Sequence, residues 1–326
     1  MIIKPRKYPV SILSLEALQR RLKQNHPQHP QIKEELAKKT AGFKGEQSID
    51  YFLSFLTEGM YHILHDVRLK IGDHFFQIDI LILSRRFLLI LEVKNITGTL
   101  FFDRNFNQLI RTQGDKREAF PDPIMQVNRQ YHQLKKWLIQ NKYKNIPIIP
   151  LVIISSPRTI LETSHQNDEI YHKIIHSAKL PQIVSKLEKT YEKNILTQKQ
   201  LSKLGQLISE CHTEPSINIL SQYKISENEV LKGVICPNCT SLPMNIKRGK
   251  WICPSCTHIS KDAHIEALKD YSLLIDQQIT NSQLRDFLQV PSIYVGTKLL
   301  TSLNLTHTGK NKGRVYHLNS RKELFY

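Results

Sequence analysis

Asp79, Glu92 and Lys94 carry charge into two runs of apolar, β-branched and aromatic residues, 75–83 and 87–93, whose pattern otherwise predicts buried strands. A carboxylate left uncompensated in such a setting costs several kcal/mol or takes up a proton. A hairpin symmetric about Arg85-Arg86 puts Asp79 opposite Glu92. Side chains alternate along a strand, so Glu92 and Lys94 share one face while Leu91 and Val93 take the other. Two carboxylates and an ammonium then meet on one patch. Such a patch suits hydrolysis assisted by Mg2+ or Mn2+: one or two carboxylates hold a small hard cation, and phosphate and water complete its shell. Lys94 would orient the attacking water and stabilise the charge that builds up in the transition state. A structural ion pair between Lys94 and one carboxylate is the competing reading.

Four cysteines offer a second kind of chemistry. Cys236-Pro237-Asn238-Cys239 and Cys253-Pro254-Ser255-Cys256 are two CxxC pairs, and together they supply the four thiolates that Zn2+ takes in a closed tetrahedral site. Residues 244–246 and 250–252 can form a hairpin between them across Arg248-Gly249. This pattern is similar to a zinc ribbon, and with no open coordination position the zinc is structural. Cys211 stands apart as a free cysteine. Lys247, Arg248 and Lys250 would face phosphates from the hairpin. Trp251 either stacks on a base or packs within the ribbon, and contact with protein is the ribbon's other use.

The residues around the acidic patch resemble the NERD, or nuclease-related, domain of the PD-(D/E)xK nuclease superfamily. Gly42-Phe43-Lys44-Gly45-Glu46 is similar to that family's early glycine-glutamate motif and Gln77-Ile78-Asp79 to its QID strand. Glu92-Val93-Lys94-Asn95 with Gly98 is similar to its EVKN segment, and Pro123-Ile124-Met125-Gln126 to its later P-x-x-Q helix start. The resemblance covers roughly residues 35–160. It implies a metal-dependent nuclease fold, with Glu46, Asp79, Glu92 and Lys94 as the matched site, Asp79 and Glu92 as the Mg2+ ligands, and Gln126 as an accessory polar residue. Domains of this superfamily also keep the fold while serving binding or assembly.

The fold expected around these residues is α/β: a restriction-endonuclease-like mixed sheet flanked by helices, then a small zinc ribbon and a winged-helix-like module. The chain is expected to divide as a basic N-terminal arm (1–34), the nuclease-like domain (35–160), a helical extension and linker (161–229), the ribbon (230–260) and the C-terminal module (261–326). Ser14 should cap a first helix that ends near Asn25. A second helix, 32–56, carries Glu46 and is open to interruption near Gly42; Ile49, Phe52, Leu53 and Leu56 mark its packed face. Without the motif, Glu46 reads as a solvated glutamate. Strands are expected at 61–69, 146–155 and in a hairpin around Arg104-Asn105, with a polar loop at 115–118. A helix from 124 to 140 would place Gln126 and Arg129 near an N-terminus that favours anions, although ordinary helix-start polarity accounts equally for Arg129. His165, His172 and His176 lack ligand spacing. One or two helices fill 180–211, and a boundary falls within 214–230.

At the C-terminal end, Asn281-Ser282 starts a helix to Leu288 and Pro291-Ser292 starts another, with Val295, Leu299, Leu300 and Leu303 at helical spacing. The basic loop 308–314 then leads into a strand at 315–318. Two helices and a basic hairpin resemble a winged helix-turn-helix, which implies a recognition helix at 292–303 and phosphate contacts from Lys310, Lys312 and Arg314. A helical cap with a solvated loop is the alternative.

The chain has 326 residues, 40% of them hydrophobic, and a formal charge of +17. That length implies two or three domains. The charge favours a polyanion as partner, since binding phosphates releases counterions. No stretch has the length of a membrane span and the first residues lack a signal peptide's apolar core, so a cytoplasmic protein is expected. The expected activity is metal-dependent hydrolysis of phosphodiester bonds, in DNA more than RNA, with the ribbon and C-terminal module positioning the substrate. The alternative is a noncatalytic nucleic-acid-binding or assembly protein that retains a nuclease fold. Whether a homodimer is required to cut both strands is left open.

Overall fold

The computed structural model describes residues 1–103, 105–163, 168–215 and 217–318, with the side chains at 168, 169 and 312 excepted; Arg104 and His165 lie outside the described residues. The chain forms two compact units, one of Met1–Lys7 with Thr40–Pro215 and one of Tyr8–Lys39 with Ser216–Tyr326. It opens with β1 (Ile2–Lys4), α1 (Val10–Arg21) and α2 (His29–Leu53). The N-terminal segment is therefore no free arm, because β1 joins the first unit's sheet and α1 the second unit's core. Ser14 is buried inside α1, whose N-cap is Pro9. Helix α2 runs through Gly42 without a break, since an amide without a side chain costs a helix interior only about 1 kcal/mol.

In the first unit the main sheet is built from β2 (His62–Ile71), β3 (His74–Leu83) and β4 (Leu88–Lys94). The chain then leaves for β5 (Thr99–Asp103), β6 (Gln108–Gln113) and β7 (Lys116–Pro121), crosses α3 (Pro123–Gln140), and returns as β8 (Ile148–Ile154). After it come β9 (Ile160–Thr163), α4 (Asp168–Lys173), β10 (Ile174–His176), α5 (Leu180–Thr190) and α6 (Gln198–Cys211). The sheet is six-stranded and mixed, in the order β1-β2-β3-β4-β8-β10, with antiparallel pairs inside and parallel pairs toward both edges.

Alternation sorts the core. Leu81, Leu83, Leu88 and Ile90 pack with Ile124, Val127 and Leu134 of α3 and with Leu201 and Leu204 of α6. Ile80, Ile82, Leu89 and Leu91 point the other way, onto Ile49 and Leu53 of α2 and Leu180 and Val184 of α5. A second sheet, β7-β6-β5-β9, begins just past β4, where Gly98 has φ 102° and a Cβ would lie 2.6 Å from the Thr112 carbonyl. Residues 115–118, expected as a loop, contribute to β7; its solvent-exposed side chains gave no strand pattern to read. Residues 161–215, expected as an extension, are part of this unit through β9, β10 and α6.

The second unit adds α7 (Ile219–Gln222) and the three-stranded sheet β11 (Asn245–Lys247), β12 (Lys250–Ile252) and β13 (Ile259–Ser260). It continues with α8 (Ala263–Leu274), β14 (Gln278–Thr280), α9 (Asn281–Leu288), α10 (Ile293–Ser302), β15 (His307–Thr308) and β16 (Val315–His317). The last three strands form an antiparallel sheet in the order β14-β16-β15. Thr280 caps α9 in a capping box with Gln283, and Ser292 caps α10. Arg21 of α1 is buried against Asp270 of α8 at 2.7 Å and donates further to the Leu231 and Gly233 carbonyls, so this interior charge is paired on several sides.

Candidate active site and metal centre

Strands β3 and β4 pair over four residues only, from Leu83↔Leu88 to Ile80↔Leu91. Beyond that point β3 stays with β2 and β4 stays with β8 as far as Lys94↔Ile154. The sheet therefore forks, and Asp79, Glu92 and Lys94 lie on the two sides of the fork. In place of the next ladder bond, Asp79 Oδ2 accepts the Val93 N–H at 2.8 Å. The β2–β3 ladder is interrupted at the same level, at Asp66 and Asp79, with Asp66 at φ 51°.

Glu92 is 2% exposed, and both of its oxygens have protein donors. Lys94 Nζ reaches Oε1 at 2.7 Å and also donates to Gln126 Oε1 at 3.0 Å. Gln130 Nε2 reaches Oε2 at 2.6 Å and the Gln77 carbonyl at 2.9 Å. Helix α3 supplies both glutamines, one turn apart, and Asp122 fixes its start by accepting the Ile124 N–H at 2.8 Å. Arg129 lies between them in sequence, with its side chain in solvent.

Glu46 approaches from α2. That helix comes close because residue 45 is glycine: a Cβ there would sit 2.3 Å from Asn95 Cβ and 2.9 Å from Ser155 Oγ. Asn95 also donates to the Ala41 carbonyl at 2.7 Å. The Glu46 carboxylate is taken by Arg6 at 2.7 Å, and the same guanidinium contacts Asp50 Oδ1 at 3.1 Å and His65 Nδ1 at 2.8 Å.

Electrostatics tie the three acids together. Burial, then the charges of Glu92 and Glu46, push the Asp79 carboxyl well above the usual carboxylate range. Burial lifts Glu46 to about 7 against the pull of Arg6, with Asp66 and Glu92 adding to the rise. Burial lowers His65 to about 4, helped by Arg6, and in the neutral ring the tautomer protonated at Nε2 leaves Nδ1 to accept a hydrogen bond from the guanidinium.

Asp79, Glu92, Lys94 and Gln126 are thus brought to one fork, with Glu46 coupled to it. The motif reading missed Gln130 and Arg6. Gln130 was legible as a polar residue on the apolar stripe Val127-Leu134-Trp137 of α3; Arg6 carried no local signal. In kind, the site suits a hard divalent cation: Asp79 and Glu92 are carboxylates, the oxygen donors such an ion takes. The carboxylates are more loosely gathered than the thiolates. Among the described residues, the four cysteines alone bring three or more acidic, His or Cys ligand atoms within 4.8 Å of one another.

The cysteines sit on two matching turns. Thr240 N–H bonds to Cys236 O at 2.9 Å and Thr257 N–H to Cys253 O at 3.0 Å, and both threonines have φ 58°. The Cys236–Cys256 and Cys239–Cys253 sulfurs are 3.7 and 3.5 Å apart. A tetrahedral Zn2+ at about 2.3 Å from each sulfur would set them about 3.8 Å apart, so the cluster fits the ion. It could hold a metal, consistent with a zinc ribbon. Arg248 and Gly249, at φ 49° and 77°, make the tight turn between β11 and β12. Trp251 is 1% exposed and donates to His264 Nδ1 at 3.2 Å, so it packs the ribbon and presents no face to a base.

The basic side chains expected to meet phosphate are scattered on the surface. Lys247, Arg248, Lys250 and Lys310 are exposed and Arg314 is half-buried, while the side chain of Lys312 lies outside those described. On α10, Leu300 and the cap Leu303 are buried and Val295 and Leu299 partly so, which leaves Tyr294, Thr297, Lys298 and Thr301 outward.

Residues 41–155 match the family model for the nuclease-related domain, NERD. No curated protein matches the chain, and no solved structure does. Among the described residues no helix is long and apolar enough to cross a membrane.

Proposed function

Proceeding from a nuclease-related domain at residues 41–155, we propose that the protein is a metal-dependent nuclease that hydrolyses phosphodiester bonds in DNA. The observation that carries this reading is the fork, where Asp79, Glu92 and Lys94 face one another across a break in the β3–β4 ladder. Asp79 and Glu92 would hold Mg2+ or Mn2+, which when bound supplies charge neutralisation at the phosphate and a more acidic water. Lys94 carries a proton-bearing ammonium on the same face, suited to orienting water and opposing developing negative charge. Gln126 fixes the ammonium from one side, and Gln130 fixes the orientation of Glu92 from the other. Preorganised donors of this kind keep their aim without rearrangement.

The remaining modules supply substrate binding in this reading. The order α8-β14-α9-α10-β15-β16 with sheet β14-β16-β15 supports the winged-helix reading, in which α10 would be the groove-reading helix and Lys310, Lys312 and Arg314 would lie near the wing. Lys247, Arg248 and Lys250 on the ribbon, and Arg129 beside the fork, would add phosphate contacts. The +17 charge supports a polyanionic partner.

The test is cleavage of labelled single- and double-stranded DNA and RNA, linear and circular, with Mg2+ or Mn2+. Parent activity that disappears in both Asp79→Asn and Lys94→Ala supports the nuclease. One observation favours a second reading, a noncatalytic nucleic-acid-binding or assembly protein: both Glu92 oxygens and the Glu46 carboxylate are already engaged by side-chain donors. Binding without cleavage under either metal would establish that reading instead.

A further inference from the structure

We infer that Arg6, which lies outside the matched domain and is delivered by β1, is a positioning residue for Glu46, holding that carboxylate beside the fork. The inference rests on the nuclease reading of the fork and names a part of the site that the domain's own residues do not supply.

Its placement is built in several steps. β1 adds to the sheet edge in parallel with β2, and Lys4 Nζ locks it there by donating to the His65 and Asp66 carbonyls at 2.9 and 3.0 Å. Two residues on, Arg6 is held with only 6% of its side chain exposed. Its two terminal nitrogens address four acceptors: Glu46 Oε2 at 2.7 Å, the Glu46 carbonyl at 3.1 Å, Asp50 Oδ1 at 3.1 Å and His65 Nδ1 at 2.8 Å. A planar guanidinium reaches this array from two nitrogens, three of the acceptors sharing the two protons of one of them, whereas an ammonium offers one point of charge.

A purely structural brace for α2 is redundant here. That helix is already seated by the close approach of Gly45 to Asn95, by the Asn95–Ala41 bond, and by Ile49 and Leu53 in the core. What those contacts leave undirected is the Glu46 side chain. It sits among like charges, with Asp66 and Glu92 near enough to act on it, and Arg6 is the cation that meets it. Removing Arg6 would free the carboxylate to turn away.

The full-length chain and its Arg6→Gln, Arg6→Lys, Glu46→Gln and Arg6→Gln/Glu46→Gln variants test this in two assays, Mg2+-dependent cleavage of labelled DNA and calorimetric titration with Mn2+. If Arg6 acts through Glu46, each single glutamine variant lowers kcat by about 100-fold with KM within about twofold, and the double variant is no worse than either within about threefold. Mn2+ affinity falls by the same factor, about tenfold, in both single variants. Arg6→Lys retains the charge without the fork and falls between parent and Arg6→Gln; should Arg6→Gln not fold, this variant carries the comparison, and parental values for it overturn the inference.

Losses that multiply in the double variant, a change confined to KM, or unequal Mn2+ responses also overturn it. If the parent binds Mn2+ but cuts nothing, the nuclease reading fails and the Mn2+ comparison alone decides the role of Arg6. If it binds no Mn2+, both fail.

Discussion

Asn95 stands where a methyl group on Gly45 would need to be: the two would be 2.3 Å apart, far inside van der Waals contact. Two segments of the domain motif, one on α2 and one at the end of β4, therefore fit only because the first carries no side chain. Gly45→Ala should lower stability by about 1–3 kcal/mol by forcing α2 off the sheet. Gly42→Ala, one turn earlier with nothing within 4 Å, should instead be neutral or stabilising by up to about 1 kcal/mol. Urea denaturation of the two variants checks the opposed signs, and equal shifts would refute the close approach.

Gln130→Leu removes the donor on Glu92 Oε2 and leaves an almost fully buried carboxylate oxygen unmet. The expected cost is about 1–3 kcal/mol in stability, with loss of Mg2+-dependent cleavage. Gln126→Leu, which frees Lys94 Nζ on one side but leaves its bond to Glu92, should cost less stability. Paired denaturation curves and initial rates separate the two.

Metal analysis of the full chain should find about one zinc per chain, and Cys239→Ser should lower it. Trp251 gives a local reading because it is buried beside Cys253. In a Trp137→Phe background, where Trp251 is the one tryptophan left, chelation should shift its emission to the red. An unchanged spectrum after complete zinc removal would argue against a metal-dependent ribbon.

Acid should weaken the second unit through His264. Burial lowers this imidazole to about 4 despite Asp262, so between about 6.5 and 4 the unfolded chain binds a proton that the folded one refuses. Its contribution to stability is present above that window and lost as pH falls through it. Glu46, lifted to about 7, acts with the opposite sign: the folded state holds a proton that the unfolded state releases between about 4.5 and 7, so its contribution falls as pH rises there. The difference in urea stability between parent and His264→Phe, measured at pH 7 and pH 5, isolates the histidine and should shrink at the lower pH.

Lys310→Ala and Lys247→Ala should each weaken DNA binding evenly across sequences and reduce the salt dependence by about one unit of log–log slope. Tyr294→Ala and Lys298→Ala, on the outward face of α10, should alter preference among sequences. Fluorescence anisotropy over a salt series distinguishes the two classes, and indifference of all four variants would remove the ribbon and the C-terminal module from substrate binding.

The meeting of Asp79, Glu92 and Lys94 was legible in the sequence because its information is local, whereas the parting of β3 from β4 beyond Ile80↔Leu91 was not. A tight turn at Arg85-Arg86 sets the register, and alternation then assigns Asp79, Glu92 and Lys94 to one face without knowledge of any other element. The cysteine cluster was legible for the same reason. The roles of β1 and Arg6 and the packing of the expected first helix were not, because parallel pairing of β1 with β2 links residues some sixty positions apart, and a basic segment at the start of a chain has the composition of a solvated arm. β7 escaped because all its side chains but the half-buried Phe120 are exposed and show no apolar alternation. Gln130 fell between: its helical spacing from Gln126 was visible, but a glutamine on an apolar stripe identifies no partner until β4 is placed beneath it.

Asp79 has one carboxylate for two jobs, closing the seam where β3 and β4 part and, in the nuclease reading, offering an oxygen to the cation. An alanine in its place removes both, so an inactive Asp79→Ala protein would be silent about which was lost. Asparagine keeps an oxygen for the Val93 amide and surrenders only the charge, and the gap between the two variants measures how much of the site is architecture and how much is chemistry.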